Sequence, residues 1–472
     1  MDAAWKKLLL NQFHDILPGS SIARVYEDAR RDHRWIIGEA EAVKNDALKA
    51  LTDGDGFSVF NSLSFPRTGL VKLPERFSNG AVTSDGTAVP VRQTAEGLVG
   101  LVTVPPCGAV CLTPCGAASE SEHTARACLT ETGAVIENDF VKAVLNSQGE
   151  VVSFTDQTGR EYAAGPMNHL LAYKDVPRIF DAWDIDSNYI DQPIALEEKA
   201  ILTVKEAGGL RAVLHVSRKV MNSSWEQDVV LTAFQTRLDF ITTVDWHELH
   251  RLLKVEFPVN VTAAEGINEI QFGYLARPNH RSRLYDKDRF EVCNQRYSAL
   301  CDQSHGAAVL NDCKYGVSMN GNALQLSLLR AAASPEMRAD NGLHAFTYAF
   351  TGWNGSFLES PVVNQAYDLN VPLQTIEGGC APFSAFGVDA PNVFIDTVKP
   401  AEDGSGDMIL RLYEAKRGDT ACNLSVNIPV QAAYLCDMLE NRLEALTVNG
   451  GSAALHFHPF EVKTIRLTPA GL

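Results

Sequence analysis

Val229-Val-Leu-Thr-Ala-Phe234 and, three residues later, Leu238-Asp-Phe-Ile-Thr-Thr-Val-Asp-Trp246 are runs of β-branched and aromatic residues. Side chains of that shape suit a pleated, half-buried surface, so both runs read as strands. Working outward, Ala323-Leu-Gln-Leu-Ser-Leu-Leu329 and Ala345-Phe-Thr-Tyr-Ala-Phe350 read the same way. Upstream, Leu145-Asn-Ser-Gln-Gly149 and Thr158-Gly159 supply turns. Many short strands, with no helical segments alternating between them, predict a large β-sandwich rather than a parallel α/β sheet.

Two further β-modules flank that region. Phe57-Ser-Val-Phe-Asn-Ser-Leu-Ser-Phe65 ends at Pro66, and Leu98-Val-Gly-Leu-Val-Thr-Val104 ends at Pro105-Pro106. Residues 116–127, rich in Ser, Glu and Ala, read as a linker. A Gly-, Pro- and Asp-containing stretch over 378–400 precedes a last module containing Met408-Ile-Leu-Arg-Leu-Tyr413 and Val462-Lys-Thr-Ile-Arg-Leu467. Residues 1–52 differ from all of this. Trp5, Leu8, Leu9, Gln12, Phe13 and Ile16 fall on one side of a helix at about 100° per residue. Pro18-Gly19 stops it, and Ser20 or Ser21 is placed to cap a second helix. The pair forms a helical hairpin that cannot enclose a core by itself and needs a partner. The chain is therefore mainly β with a short α-helical N-terminal segment, divided as 1–52, 55–116, 128–376 and 385–472.

Composition narrows the function. The 472 residues carry 41 − 58 = −17 charges, which argues against nucleic-acid and anionic-membrane partners. No run of about 18 apolar residues is present, and the first residues lack a signal-peptide pattern, so a soluble cytoplasmic protein is expected. The ten cysteines include no Cys-x-x-Cys pair. Cys107, Cys111 and Cys115 recur every four residues, but Pro105, Pro106 and Pro114 rule out one helix through them. They read as buried free thiols rather than zinc ligands.

His247-Glu248-Leu249-His250 lacks the four-residue histidine spacing of a helical zinc motif. Asp184-Ile-Asp186-Ser-Asn188 begins like a calcium loop, but Tyr189 replaces the turning glycine and Ala195 cannot bind bidentately. His14 lies on the helical wheel about 170° from the apolar face, which disfavours a core histidine. It is either a solvated side chain or, with Asp15, half of a metal or sugar site. Asp175-Val-Pro-Arg-Ile-Phe-Asp181-Ala-Trp183-Asp184-Ile-Asp186 is either a carbohydrate-facing cluster or an acidic loop anchored by one buried Trp.

Asn11-Gln-Phe-His-Asp-Ile-Leu-Pro-Gly-Ser-Ser21 resembles the helix-end motif of family 38 glycoside hydrolases, the retaining α-mannosidases, best in their bacterial and cytosolic-type branch. The resemblance continues in order through Val59-Phe-Asn61, Lys174-Asp-Val-Pro177, Asp181-Ala-Trp-Asp184 and Val244-Asp-Trp-His-Glu248. It runs on through Leu252-Leu-Lys-Val-Glu-Phe-Pro258, Asn311-Asp-Cys-Lys-Tyr-Gly316, Arg411-Leu-Tyr-Glu414 and Pro459-Phe-Glu461.

This resemblance implies that His14 is a Zn2+ ligand and that Asp15 binds mannose hydroxyls. It implies that the hairpin is a remnant of a three-helix middle bundle and that the large sandwich is galactose-mutarotase-like. Part of the pocket wall falls in that sandwich, where Trp183, Asp184 and Asp340 are the candidates. The family's other zinc ligands, among them the nucleophilic aspartate, belong to an N-terminal catalytic domain whose His-x-Asp-x-x-Trp-like motif is not found here. No catalytic residue is therefore expected in this chain, and the polypeptide is expected to be a C-terminal part of an α-mannosidase, inactive alone. Retaining hydrolysis needs two carboxyl groups about 5–5.5 Å apart, which one His–Asp pair does not supply. The expected partners are a mannose-containing oligosaccharide, the missing domain or a second chain, and a further copy docking on the hairpin's apolar surface. The alternatives are a non-catalytic carbohydrate-binding or assembly module and, on fold analogy alone, a sugar epimerase.

Overall fold

The computed structural model describes residues 1–471. Leu238–Trp246 is a central strand in which every second residue, Leu238, Phe240, Thr242, Val244 and Trp246, is buried. It lies between Ser223–Thr232 and Gly342–Asn354, with Phe240 opposite Val229 on one side and Tyr348 on the other. These strands belong to a nine-stranded antiparallel sheet. A six-stranded sheet built on His169–Lys174, Arg251–Pro258 and Ala323–Leu329 shares its core. Phe257 from the second sheet stacks on Phe350 of the first with ring centroids 5.6 Å apart. A five-stranded sheet, four strands over residues 125–156 and the short Gly208–Gly209 at its edge, adds Ile136, Leu145 and Phe154 to the same core. The chain is mainly β, as the strand-rich sequence predicts.

The smaller modules pack around this sandwich. One contains Asp53–Asn61, Gly97–Val104 and Gly108–Pro114, with its own core around Val59, Phe77 and Leu112. The strand Gln374–Gly379 returns to pair with Asp53–Asn61, so the small module is closed by a segment from far downstream. Helix α3, Val362–Asn370, joins the units. Its Asp368 accepts from Arg67 at 2.8 Å, from Gln235 at 3.1 Å and from Arg237 at 3.4 Å. The C-terminal module pairs a three-stranded sheet with a five-stranded one around Leu412, Leu424, Phe457 and Ile465. The segment read as a linker is shorter than expected, because the strand Ala125–Leu129 starts inside it.

The hairpin departs from expectation in its details. Helix α1, Asp2–Leu10, ends six residues before Ile16, and residues 11–19 continue as turns. Past Asn11 the backbone tightens to i→i−3 bonds, Gln12 N–H to Leu9 O and Phe13 N–H to Leu10 O, both at 3.1 Å, while the Asn11 side-chain amide donates to Lys7 O at 2.9 Å. The second helix, α2, spans Ala23–Ala50 with Ile22 at the N-cap, and neither serine caps it. Instead the Ser21 hydroxyl donates to Asp15 O at 2.6 Å, and the Ser21 N–H donates to the Tyr26 hydroxyl at 2.5 Å. Trp5, Leu9, Phe13 and Leu17 are all at least half exposed, and no hydrophobic core cluster includes a hairpin residue. No helix of the described residues is long and apolar enough to cross a membrane. All ten cysteines are free, with Cys111 buried and Cys107 and Cys115 half-buried.

Candidate functional site

His14 and Asp15 sit in the turn that follows α1. The Phe13 carbonyl accepts from Ile16 and Leu17, at 2.9 and 3.0 Å, and so holds the turn together. Gly19, at φ +82°, redirects the chain into α2. Because α1 ends at Leu10, the helical-wheel position assigned to His14 does not apply, yet the imidazole is exposed. Its ring centroid lies 4.3 Å from Phe13 and 6.3 Å from Trp183. That second contact joins the hairpin to the acidic loop of the large sandwich.

Trp183 is 49% exposed, so the loop is not anchored by burying its indole. Its anchors are polar. Asp175 is buried and accepts from Arg330 Nε at 2.7 Å. The same guanidinium donates to the carbonyls of Asp181, at 3.2 Å, and Asp184, at 2.7 Å. Burial pushes the Asp175 carboxyl above its ordinary range, and the Arg330 cation opposes that shift. Burial also acts to raise Asp181, but the Ala333 N–H at 2.7 Å and His250 Nε2 at 3.0 Å hold it below its usual value. Arg330 follows the strand Ala323–Leu329, and its carbonyl accepts from Trp246 Nε1 at 3.0 Å. A core tryptophan thus positions the arginine that orders the Trp183 loop.

Asp184 is exposed beside Trp183. Asp340 lies elsewhere, in a cavity of about 330 Å³ whose wall it shares with Gln12, Ile16, Tyr26, Arg30 and His33. Burial raises its pKa, while the nearby charges of His344, Lys314 and Arg330 oppose the shift. His14 and Trp183 do not line that cavity. The five sequence candidates therefore fall into His14–Trp183, with Asp15 and Asp184 adjoining, and Asp340 beneath the same turn.

Arg330 and His250 escaped the sequence reading as site-forming residues, whereas Asp175 opens the acidic cluster that the sequence singled out. His250 lay within the rejected zinc-like motif, where Glu248 is a buried structural acceptor for the Asn222 N–H and the Ser223 hydroxyl, both at 2.8 Å. His14 belongs to no group of three or more His, Cys, Asp or Glu side chains with converging ligand atoms among the described residues. A closed zinc site made by this chain alone at His14 does not fit the structure.

The chain joins a two-helix segment carrying an exposed imidazole to a set of β-sandwich modules, and comparison with known proteins specifies its class. Residues 1–51 match the alpha mannosidase middle domain, residues 136–338 the glycosyl hydrolases family 38 C-terminal domain, and residues 392–465 the family 38 C-terminal beta sandwich domain. The chain belongs to glycosyl hydrolase family 38 and comprises its middle-domain helices and C-terminal β-domains. It is 37% identical to "Alpha-mannosidase 2C1" of Mus musculus, over 98% of this chain and 45% of that protein. It is 28% identical to "Alpha-mannosidase G" of Dictyostelium discoideum, over 98% of this chain and 47% of that protein. The chain thus spans about half the length of these curated relatives. The crystal structure of an α-mannosidase from Enterococcus faecalis V583 superposes with a TM-score of 0.80 at 16% identity, covering 98% of this chain and 63% of that one, which shows the shared fold.

Proposed function

We propose that this chain is the part of an α-mannosidase that forms one wall of the sugar pocket, and that hydrolysis needs residues outside it. The 6.3 Å approach of the His14 ring to Trp183 carries this reading, because it brings a potential metal ligand and an exposed aromatic platform to one surface. Asp15 and Asp184 adjoin that surface as acceptors for sugar hydroxyls, and Asp340 closes the cavity beneath it. His14 contributes one ligand to a Zn2+ completed by the portion of the relatives that this chain does not span. Such an ion would act as a Lewis acid and a template for the sugar. The exposed face of Trp5, Leu9 and Phe13 would seat that portion, or a further copy of the chain. A cytoplasmic location accords with the free thiols.

An aryl α-mannoside tests the activity. The chain alone is expected to give no turnover, and hydrolysis at the rate of a full-length relative would refute the division of labour. Size-exclusion chromatography across concentration tests the docking face, where a monomer at every concentration would remove self-association. The exposed indole also supports a second reading, a non-catalytic mannose-binding module. Calorimetry separates the two: mannose binding that survives His14→Ala but disappears in Trp183→Ala favours the module.

A further inference from the structure

The C-terminal module carries a cluster of two histidines and an aspartate, unrelated to the hairpin. In its three-stranded sheet, Thr420–Val426 runs antiparallel to Ser452–Phe457, with Thr420 opposite Phe457 and Ala421 opposite His456. That register places Asp419 across from His458, just beyond the paired strands. Positions 456 and 458 differ by two, so both imidazoles stand on one face, and Asp419 stands on the same face across the pair. His456 Nε2 lies 2.9 Å from Asp419 Oδ1, and His458 Nδ1 lies 3.2 Å from Asp419 Oδ2. The three ligand atoms lie within 4.8 Å of one another, and the two rings meet nearly perpendicular at 5.1 Å. A turn fixes His458: its N–H donates to the Glu461 carboxylate at 2.9 Å, and its carbonyl accepts from the Glu461 N–H at 3.0 Å.

We propose that Asp419, His456 and His458 bind a divalent d-block cation of the Zn2+, Ni2+ or Cu2+ class. Two imidazoles and one carboxylate match the donor preference of these ions, whereas Mg2+ and Ca2+ favour oxygen donors. Tetrahedral bonds of about 2.0–2.2 Å require ligand atoms roughly 3.3–3.5 Å apart. The observed nitrogen–oxygen separations are close to that spacing, so small side-chain rotations open the site. In the metal-free chain each ring nitrogen facing Asp419 carries a proton in its hydrogen bond, and the cation replaces those protons. All three side chains are more than half exposed. A fourth position is left for water or for a donor from another molecule. The bound ion would clip the connection before Thr420 to the end of the neighbouring strand.

Titration of the full chain with Zn2+ against a chromophoric chelator tests the assignment. One equivalent of uptake is expected, weakened at least about tenfold by Asp419→Asn and by His456→Ala, and retained by His14→Ala. Because all three positions are exposed, unchanged far-UV circular dichroism should confirm that the variants are folded. No uptake by the parent chain would overturn the proposal, as would undiminished uptake by a folded His456→Ala/His458→Ala double variant. The plain hydrogen-bonded His–Asp cluster would then stand.

Discussion

The hairpin and the large sandwich solve the burial problem differently. The sandwich encloses Trp225, Trp246, Phe240 and Phe257 completely, whereas the hairpin leaves Trp5, Leu9 and Phe13 in solvent and α2 buries only Ala29 and Asp32. One region is a finished core and the other leaves an apolar face uncovered. The His14–Trp183 contact lies on the seam between them, so the site inherits order from one side only.

The comparison breaks if burial does not set the energetics. Phe240 is fully buried, with Tyr348 stacked at 5.2 Å and Phe257 edge-on at 5.9 Å. Phe240→Ala removes a ring from a close-packed layer and is expected to cost about 3–5 kcal/mol. Leu9→Ser in α1 is expected to change stability by less than about 0.5 kcal/mol, because that side chain is already 64% exposed. Urea denaturation followed by tryptophan fluorescence measures both. Similar losses in the two variants would mean that the hairpin is packed in solution.

Ion pairs provide the second contrast. Arg330→Ala strands the buried Asp175 carboxylate and releases the carbonyls of Asp181 and Asp184, with an expected loss of about 3 kcal/mol. Lys7→Ala removes the bond to Asp32 at 2.8 Å, but that lysine is 43% exposed and the cost should stay under about 1 kcal/mol. Hydrogen exchange adds a local readout: in Arg330→Ala the amides of Trp183 and Asp184, bonded to Phe180 O at 2.7 and 2.9 Å, should lose protection before the sandwich strands do. Unchanged protection there would show that the loop is held by something other than the arginine.

These elements also show what a one-dimensional reading can reach. The alternation in Leu238–Trp246 predicted a strand and its buried face, because the pleat turns period two directly into burial. The end of α1 was misplaced because apolar residues recur every three or four positions through the turns at 11–17, as they do in a helix. What separates the two is the backbone, which passes from i→i−4 bonds to i→i−3 bonds at Gln12 and Phe13, with the Asn11 amide folded onto Lys7 O. His14 and Trp183 were legible one at a time, through residue type and motif. Their proximity was not, and neither was Arg330, a single cation 155 positions from the carboxylate it holds. Such pairings are set by strand order, which local patterns do not encode.

A further small effect tests whether titration matters where packing already dominates. On the sandwich, His169 Nδ1 meets Glu150 Oε1 at 2.6 Å, and Asn146 donates to the other carboxylate oxygen at 2.7 Å. The bond to Glu150 raises the His169 pKa above its ordinary 6.5, with a weaker favourable field from Glu256 and an opposing one from Arg218. The bond to His169 lowers Glu150 below its ordinary 4.5, reinforced by Asn146 and Arg218. A raised histidine stabilises the fold fully below 6.5, and that contribution fades as pH climbs through the folded-state value. A lowered glutamate stabilises above 4.5 and loses its contribution as pH falls through its own folded-state value. The pair is therefore at full strength between those limits. Because the imidazole is 41% exposed, its worth is expected to be under about 1 kcal/mol. Urea midpoints of the parent and His169→Gln should differ more at about pH 5.5 than at about pH 8.5. An equal gap at both values would show that the imidazole contributes through contact rather than charge, leaving packing as the sole distinction between the two regions.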